Sequence, residues 1–179
     1  MKVVGVIGGA KTDGNTFKLV RAVLDGALEA SHTVVTWRLK DTYIGHLGYL
    51  EGETLLPLDD FEKMQPDLES MEALVLGAPV WYGQVDTRTL NFITRTYYYN
   101  RSYSEENAEK WPRAQPVNIL TYEREEEDAY DHLLEWLDGI WDWYGMKKSI
   151  NLVAAGTTKK PVEERDELLE KAKEIGRNL

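Results

Sequence analysis

The chain has 179 residues, a net charge of −10 and no cysteine, which favours a single domain spanning residues 1–179 with a sizeable core. The lack of cysteine excludes disulfides, thiolate nucleophiles and cysteine-held zinc or iron–sulfur centres, and the acidic charge argues against nucleic acid as a general partner. No apolar stretch approaches the ~20 residues that cross a bilayer, and the start lacks a signal-peptide pattern, so we expect a cytoplasmic protein without membrane insertion.

Strands and helices are predicted to alternate along the chain. Apolar, mostly β-branched runs predict strands at residues 3–7, 32–39, 73–76, 116–122 and 149–155. Apolar residues at helical spacing predict helices at residues 16–27, 87–99 and 128–144, with further helices beginning near Asp59 and at Pro161. Pro66 is expected to kink or divide the helix that begins near Asp59. Residues 42–58 and 102–115 are expected to be loops.

This alternation predicts an α/β protein with a doubly wound, five-stranded parallel sheet of order 2-1-3-4-5. In such a sheet the strand order reverses between the first and third strands, and ligands bind beyond the carboxyl ends of the strands at that point. The loops that follow these two strands are therefore the candidate binding segments.

The first of these loops reads GGAKTDGNT, residues 8–16, and leads into a helix. Free backbone N–H groups and the helix dipole at such a junction favour an anion, and glycines let the backbone turn tightly. Asp13 is expected to face solvent, because an inward carboxylate would oppose the anion. The candidate binding residues are Gly9, Lys11, Gly14, Asn15 and Thr16. The alternative interpretation is a capped glycine-rich turn that binds nothing.

The second loop reads GAPVWYGQV, residues 77–85, and carries two adjacent large aromatic residues, Trp81 and Tyr82. A flat aromatic ligand could lie against this loop and bond its backbone. Aromatic residues are also common at core edges and subunit interfaces, so packing is the alternative interpretation.

Both loops resemble motifs of the flavodoxin-like NADPH-dependent FMN reductase family. GGAKTDGNT is similar to the family's phosphate loop, GAPVWYGQV to its isoalloxazine loop, and FITR, residues 92–95, to its Phe-Ile-Asp-Arg helix. The resemblance covers most of the chain and implies FMN as cofactor. It implies that residues 9–16 hold the phosphate, with Lys11 in the place of an arginine. The ring would be held by Pro79, Val80, Trp81, Tyr82 and Gly83 on one side and flanked by Thr121 and Tyr122 on the other.

The chain departs from the family pattern at several positions. Gly9 and Ala10 replace serine and proline, and Trp81-Tyr82 reverses the usual aromatic order. The bulky, acidic stretch YEREEEDAY replaces a glycine-rich segment after the fourth strand, which opposes the approach of an anionic pyridine nucleotide. The family's iron–sulfur branch has cysteines near the positions of Leu47 and Leu50, so a cluster of that kind is excluded.

These observations lead to a flavoenzyme hypothesis with two alternatives. The chain would transfer electrons from NAD(P)H through FMN to a quinone, a flavin or another small acceptor, with the redox chemistry supplied by the cofactor. No side chain is required as a catalytic acid or base, and no metal is expected. The alternatives are a flavodoxin-type electron carrier and a flavin-free binding domain. The resemblance also suggests a homodimer or tetramer.

Overall fold

The computed structural model describes residues 1–50 and 53–179. The elements in chain order are β1 (Lys2–Ile7), α1 (Asn15–Glu29), β2 (Thr33–Arg38), β3 (Gly48–Leu50), β4 (Glu53–Leu55), α2 (Phe61–Glu69), β5 (Ala73–Trp81), β6 (Gln84–Val85), α3 (Thr87–Arg95), α4 (Glu105–Lys110), β7 (Gln115–Thr121), α5 (Asp131–Trp143), β8 (Ile150–Ala154) and α6 (Asp166–Arg177), with 3₁₀ turns at Thr96–Tyr99 and Val162–Glu164. Among the described helices, none is long and apolar enough to span a membrane.

Five parallel strands form the main sheet in the order β2-β1-β5-β7-β8. This order confirms the predicted 2-1-3-4-5 arrangement of a doubly wound, flavodoxin-like sheet. The order reverses between β1 and β5, so the loops after these two strands meet at the same edge of the sheet.

Helices cover both faces of the sheet because the central strands are apolar on both sides. In β1, Val3 and Ile7 face α1 and α6, whereas Val4 and Val6 face α2, α3 and α5. The helices α1 and α6 approach each other closely, since a Cβ on Gly176 would lie 1.9 Å from the carbonyl oxygen of Val23. The core therefore consists of two apolar layers, one on each side of the sheet.

The structure differs from the predicted elements at four places. Residues 42–58, predicted as a loop, contain the antiparallel pair β3–β4, although part of the stretch compared with the iron–sulfur branch, residues 51 and 52, lies outside the described residues. Residues 102–115 contain α4, which begins at a Ser104 cap. Pro66 does not divide α2, which is continuous over Phe61–Glu69; Pro66 lies on the exposed side, where water can bond the carbonyl group that loses its N–H partner. Pro161 opens a 3₁₀ turn, and the last helix begins at Asp166.

Candidate functional site

The loop between β1 and α1 is fixed against β5 by close backbone contacts. The N–H of Gly8 donates to the carbonyl oxygen of Gly77 at 2.7 Å, and a Cβ on Gly8 would lie 2.0 Å from Thr89 Oγ1. Gly9 has a φ of +81°, which favours glycine, and a Cβ there would lie 3.1 Å from Pro79 Cγ. The first predicted loop and the start of the second are therefore in contact, as the topology predicted.

The N-terminus of α1 is arranged to receive an anion. Gly14 is the N-cap residue, and none of the described side chains caps this helix end. The N–H groups of the first turn have no partner within a helix, and together with the dipole they favour a phosphate. Asn15, predicted to cap the helix or bond a phosphate, has another role in the structure. Its Oδ1 accepts the N–H of Val162 at 2.9 Å and so connects the loop to the segment before α6.

Thr16 and Thr121 meet beneath this loop. Their hydroxyl oxygens lie 2.6 Å apart, and both residues are buried. Thr16 was predicted on the phosphate loop and Thr121 after the fourth strand of the sheet. The structure therefore brings two sequence-predicted site residues into direct contact at the carboxyl edge.

The charges around the loop are partly paired. Lys11 is exposed. Asp13 faces solvent, as predicted, and its carboxylate lies 3.6 Å from Lys18 Nζ. Lys18 also contacts Glu163 at 2.9 Å, and that hydrogen bond raises the pKa of Lys18. These contacts hold the acidic group of the loop away from its backbone N–H groups.

Arg38 was not identified from the sequence, although it is a basic residue at the carboxyl end of β2. Its guanidinium donates to the carbonyl oxygen of Thr12 and lies 4.5 Å from the centre of the Phe17 ring. Its buried Nε has no hydrogen-bond partner among the described residues. Arg38 therefore positions the loop, and its positive charge beside the loop is shared with Asp41, whose carboxylate lies 3.9 Å from Nε.

The aromatic segment is a β-hairpin rather than a loop. β5 continues to Trp81, which pairs with Gln84 of β6, so Tyr82 and Gly83 form a two-residue turn. Their φ values are 51° and 78°, as a type I′ turn requires. Trp81 is 61% exposed and Tyr82 is 104% exposed. The alternative that these rings pack at a core edge of this chain is therefore wrong.

Tyr122 is held by its own chain. Its hydroxyl donates to the carbonyl oxygen of Glu127 at 2.6 Å. Its backbone N–H donates to the carbonyl oxygen of Ala154 at 3.1 Å. Burial, followed by the nearby charges of Asp131 and Glu127, raises the pKa of Tyr122 to about 12. Both donors of Tyr122 are therefore occupied within the chain and are not available to a bound ring. The Tyr122 hydroxyl instead supports the acidic segment that follows it.

These residues fit a phosphorylated flavin. The uncapped end of α1 suits a phosphate, and the exposed aromatic hairpin suits a planar ring. The loop before α1 is bonded to β5 through Gly8 and Gly77, and β5 continues into the hairpin, so one ligand could reach both segments. Glycine at residue 8 lets the loop pack directly against Thr89 and Asp86, and glycine at residue 9 permits the positive φ of the turn.

The comparisons with known proteins agree with this geometry. The family model for NADPH-dependent FMN reductase matches residues 1–151. An NAD(P)H dehydrogenase (quinone) of Archaeoglobus fulgidus is 32% identical over 89 residues. The match covers 46% of this chain and 46% of that relative, so the chain matches less than half the length of the relative.

Two solved structures share the fold over nearly their whole length. An NAD(P)H:quinone oxidoreductase from Methanothermobacter marburgensis is 18% identical with a TM-score of 0.74, covering 99% of this chain and 98% of that one. An FMN-dependent NADH-azoreductase from Bacillus anthracis in complex with FMN is 12% identical with a TM-score of 0.70, covering 99% of both chains. At these identities the two likenesses concern the fold alone.

Proposed function

Because the chain belongs to the NADPH-dependent FMN reductase family, for which FMN is the cofactor, we propose that it is a flavoenzyme that passes electrons from NAD(P)H to a quinone, a flavin or another small acceptor. Bound FMN supplies the hydride and electron transfer. The chain itself binds and orients the flavin and limits its access to water. It needs no side chain as a proton donor or acceptor.

One observation carries this proposal: the loop that leads into the anion-binding end of α1 is hydrogen-bonded to β5, the strand that continues into the aromatic hairpin, at the point where strand order reverses. We assign the phosphate to the backbone of Gly9 and Gly14, the hydroxyl of Thr16 and the charges of Lys11 and Arg38. We assign the ring to the hairpin, with Pro79, Val80, Trp81, Tyr82 and Gly83. Asn15 and Tyr122 are positioning residues in this proposal, and Thr121 orients Thr16.

Titration of the purified protein with FMN, followed by flavin fluorescence, tests the binding step. We expect saturable binding, and oxidation of NADH or NADPH when a benzoquinone is added. A protein that binds no FMN would contradict the proposal.

A pair of glycine substitutions tests the assigned position of the phosphate. Gly9 and Gly145 both have positive φ values, 81° and 70°, so replacing either by alanine introduces similar backbone strain. Only the Cβ at Gly9 would enter the proposed site, whereas at Gly145 it would meet no described atom within 4 Å. We expect Gly9→Ala to weaken FMN binding about tenfold or more, equivalent to one charge-assisted hydrogen bond, and Gly145→Ala to leave it unchanged. Equal effects would place the phosphate elsewhere.

An electron carrier is the second candidate, because the net charge of −10 suits docking to basic redox proteins. Steady-state oxidation of NAD(P)H separates the two, since a carrier binds FMN but turns over nicotinamide poorly.

We also propose that the chain is one domain, works in the cytoplasm and forms a homodimer or tetramer.

A further inference from the structure

A buried carboxylate lies between the two segments of the proposed flavin site. Asp86 directly follows the β5–β6 hairpin and is the N-cap residue of α3, and it is only 7% exposed. Its backbone N–H donates to the carbonyl oxygen of Pro79 at 3.1 Å. On the other side, a Cβ on Gly8 would lie 2.6 Å from Asp86 Oδ2. The residue is therefore fixed to the base of the hairpin, and its carboxylate lies beside the first loop.

The hydrogen-bond partners of this carboxylate are neutral groups. Oδ1 accepts the backbone N–H of Arg88 at 3.2 Å, and Oδ2 accepts the hydroxyl of Thr89, which is itself fully buried. The positive end of the α3 dipole compensates part of the negative charge. Within the described part of the chain, these partners leave the rest of the charge without a balancing cation.

Capping of α3 accounts for a side-chain oxygen at this position but not for its charge. Asparagine and serine cap helices about as well as aspartate, whereas a buried charge is costly unless it is paired. The same chain uses a neutral cap at α4, where the Ser104 hydroxyl accepts the N–H of Asn107. The negative charge of Asp86 therefore has a cost that the start of a helix does not require.

We propose that the Asp86 carboxylate lowers the reduction potential of the bound flavin and so keeps the reduced flavin a strong electron donor to the acceptor. This inference rests on the function proposed above. Hydride transfer from NAD(P)H brings two electrons and one proton, so the flavin gains one negative charge while the nicotinamide becomes a cation. A buried negative charge nearby opposes that gain, because the effective dielectric constant is low there. It therefore disfavours the reduced form relative to the oxidised form.

The position of Asp86 suits this role better than that of the other acidic residues at the carboxyl edge. The phosphate is assigned to residues 9–16 and the ring to the hairpin, so a ligand that spans both segments passes the carboxylate between Gly8 and Pro79. The acidic segment at residues 123–128 is exposed, and solvent and salt screen its charges more strongly than a buried one. Among the described acidic residues of this edge, Asp86 should therefore have the largest effect on the potential.

The reduction potential of bound FMN, measured by equilibration with a reference dye, tests the proposal. Asp86→Asn removes the charge and keeps an oxygen for the cap. We expect the equilibrium constant for flavin reduction to rise about tenfold, equivalent to a potential about 30 mV more positive for a two-electron couple. Asp142→Asn is the matched control, because it removes the same charge from an exposed position near the end of α5. It should leave the potential unchanged.

A purely structural role for Asp86 gives a different result. In that case Asp86→Asn would lower the melting temperature of the flavin-free protein and leave the potential of bound FMN equal to that of the parent, which would overturn the proposal. Asp86→Ser supplies a second neutral cap for the case in which Asp86→Asn does not fold, and it should shift the potential in the same direction. A parent that binds no FMN on titration would contradict the proposed function together with this inference. Tight binding of FMN with no shift in either variant would overturn the inference alone.

Discussion

Tyr82 occupies an unfavourable backbone position at the tip of the β5–β6 hairpin. Its φ is 51°, and a non-glycine residue in the left-handed region loses about 1–2 kcal/mol. Its ring is fully exposed, so no packing within the chain offsets this loss. The conformation holds an aromatic ring at the sheet edge, which is consistent with a residue kept for binding rather than for stability.

Tyr82→Asn should therefore stabilise the protein. Asparagine tolerates positive φ, and Asn-Gly is the favoured pair for this type of turn. We expect the free energy of unfolding in urea to rise by about 1 kcal/mol, while FMN affinity falls because the ring is lost. Trp81→Asn serves as the comparison, because Trp81 lies in an extended strand and gains nothing from the change. Lower stability of Tyr82→Asn than of the parent would contradict the interpretation of the turn.

The Tyr122 hydroxyl predicts a dependence of stability on alkaline pH. Burial raises its pKa from about 10 to about 12, so the neutral form is favoured in the folded state. Its contribution is fully present below pH 10 and is lost as the pH rises through about 12. Tyr122→Phe should cost about 1 kcal/mol at neutral pH, and the difference between the two proteins should shrink over that window in urea denaturation. A constant difference from pH 8 to pH 12 would contradict this.

At the scale of elements, α3 holds the segment before α2 through a buried ion pair. Arg95 pairs with Asp59, and both side chains are almost fully buried. Asp59 also accepts the N–H groups of Gly45 at 2.6 Å and Phe61 at 2.9 Å. The carboxylate thus organises the turn into α2, and the guanidinium compensates its buried charge.

Arg95→Met should therefore be strongly destabilising. It leaves the Asp59 carboxylate buried without a counter-charge, which costs about 3–5 kcal/mol. Lys63→Met is the matched control, because the exposed Lys63–Asp60 pair contributes less than about 1 kcal/mol. Chemical denaturation of both variants measures the contrast. Similar small losses in the two would show that the buried pair does not hold the segment.

Elements with an apolar face could be predicted from the sequence, and others could not. β1 was recognisable as a continuous apolar run because both of its faces are buried, and α1 had helical periodicity because one side of it is buried. The helix α4 has no buried residue, so it leaves no apolar stripe to detect. The hairpin after β5 was read as a loop because its turn depends on a positive φ at Tyr82, a residue that rarely adopts one.

Contacts across long sequence separations were also beyond sequence reasoning. The adjacency of the loops that carry Thr16 and Thr121 followed from topology, but their 2.6 Å contact did not. Arg38 reaches Thr12 across 26 residues, and Arg95 reaches Asp59 across 36. Side-chain conformations at a packed edge decide such pairs, and local patterns carry no information about them.

At the scale of the whole molecule, negative charge concentrates near one side of the proposed site. The net charge is −10, and the exposed segment at residues 123–128 follows β7 at the carboxyl edge. Within it, Glu126 pairs with Arg124 at 3.3 Å, and Glu125 pairs with Lys159. Glu123, Glu127 and Asp128 remain to repel an anion, whereas the flavin phosphate would be held by the backbone at the start of α1 and by Arg38 at the end of β2.

The electrostatic field of this negative charge predicts that turnover of NAD(P)H increases with salt concentration. NADH and NADPH are anions, so at low salt the acidic segment repels them and they associate slowly. Raising the ionic strength from about 0.01 M to about 0.15 M shortens the screening length from about 30 Å to about 8 Å. We therefore expect kcat/KM for NAD(P)H to rise with salt, while the rate of reoxidation by an uncharged quinone changes little. Stopped-flow measurement of the two half-reactions separates them.

The variants that test this field remove charge without disturbing the fold. Glu123→Gln and Glu127→Gln alter exposed side chains, and the contact that Glu127 makes with Tyr122 uses its backbone carbonyl. Combining them should raise kcat/KM at low salt and flatten its salt dependence, because less repulsion is left to screen. Glu174→Gln, an exposed change of the same charge on α6, should have a smaller effect, because Glu174 lies near the end of α6 that packs against the C-terminal end of α1, away from the carboxyl edge. A kcat/KM that falls with salt in the parent would mean that the positive charges of Lys11 and Arg38, rather than the acidic segment, govern the approach of the electron donor.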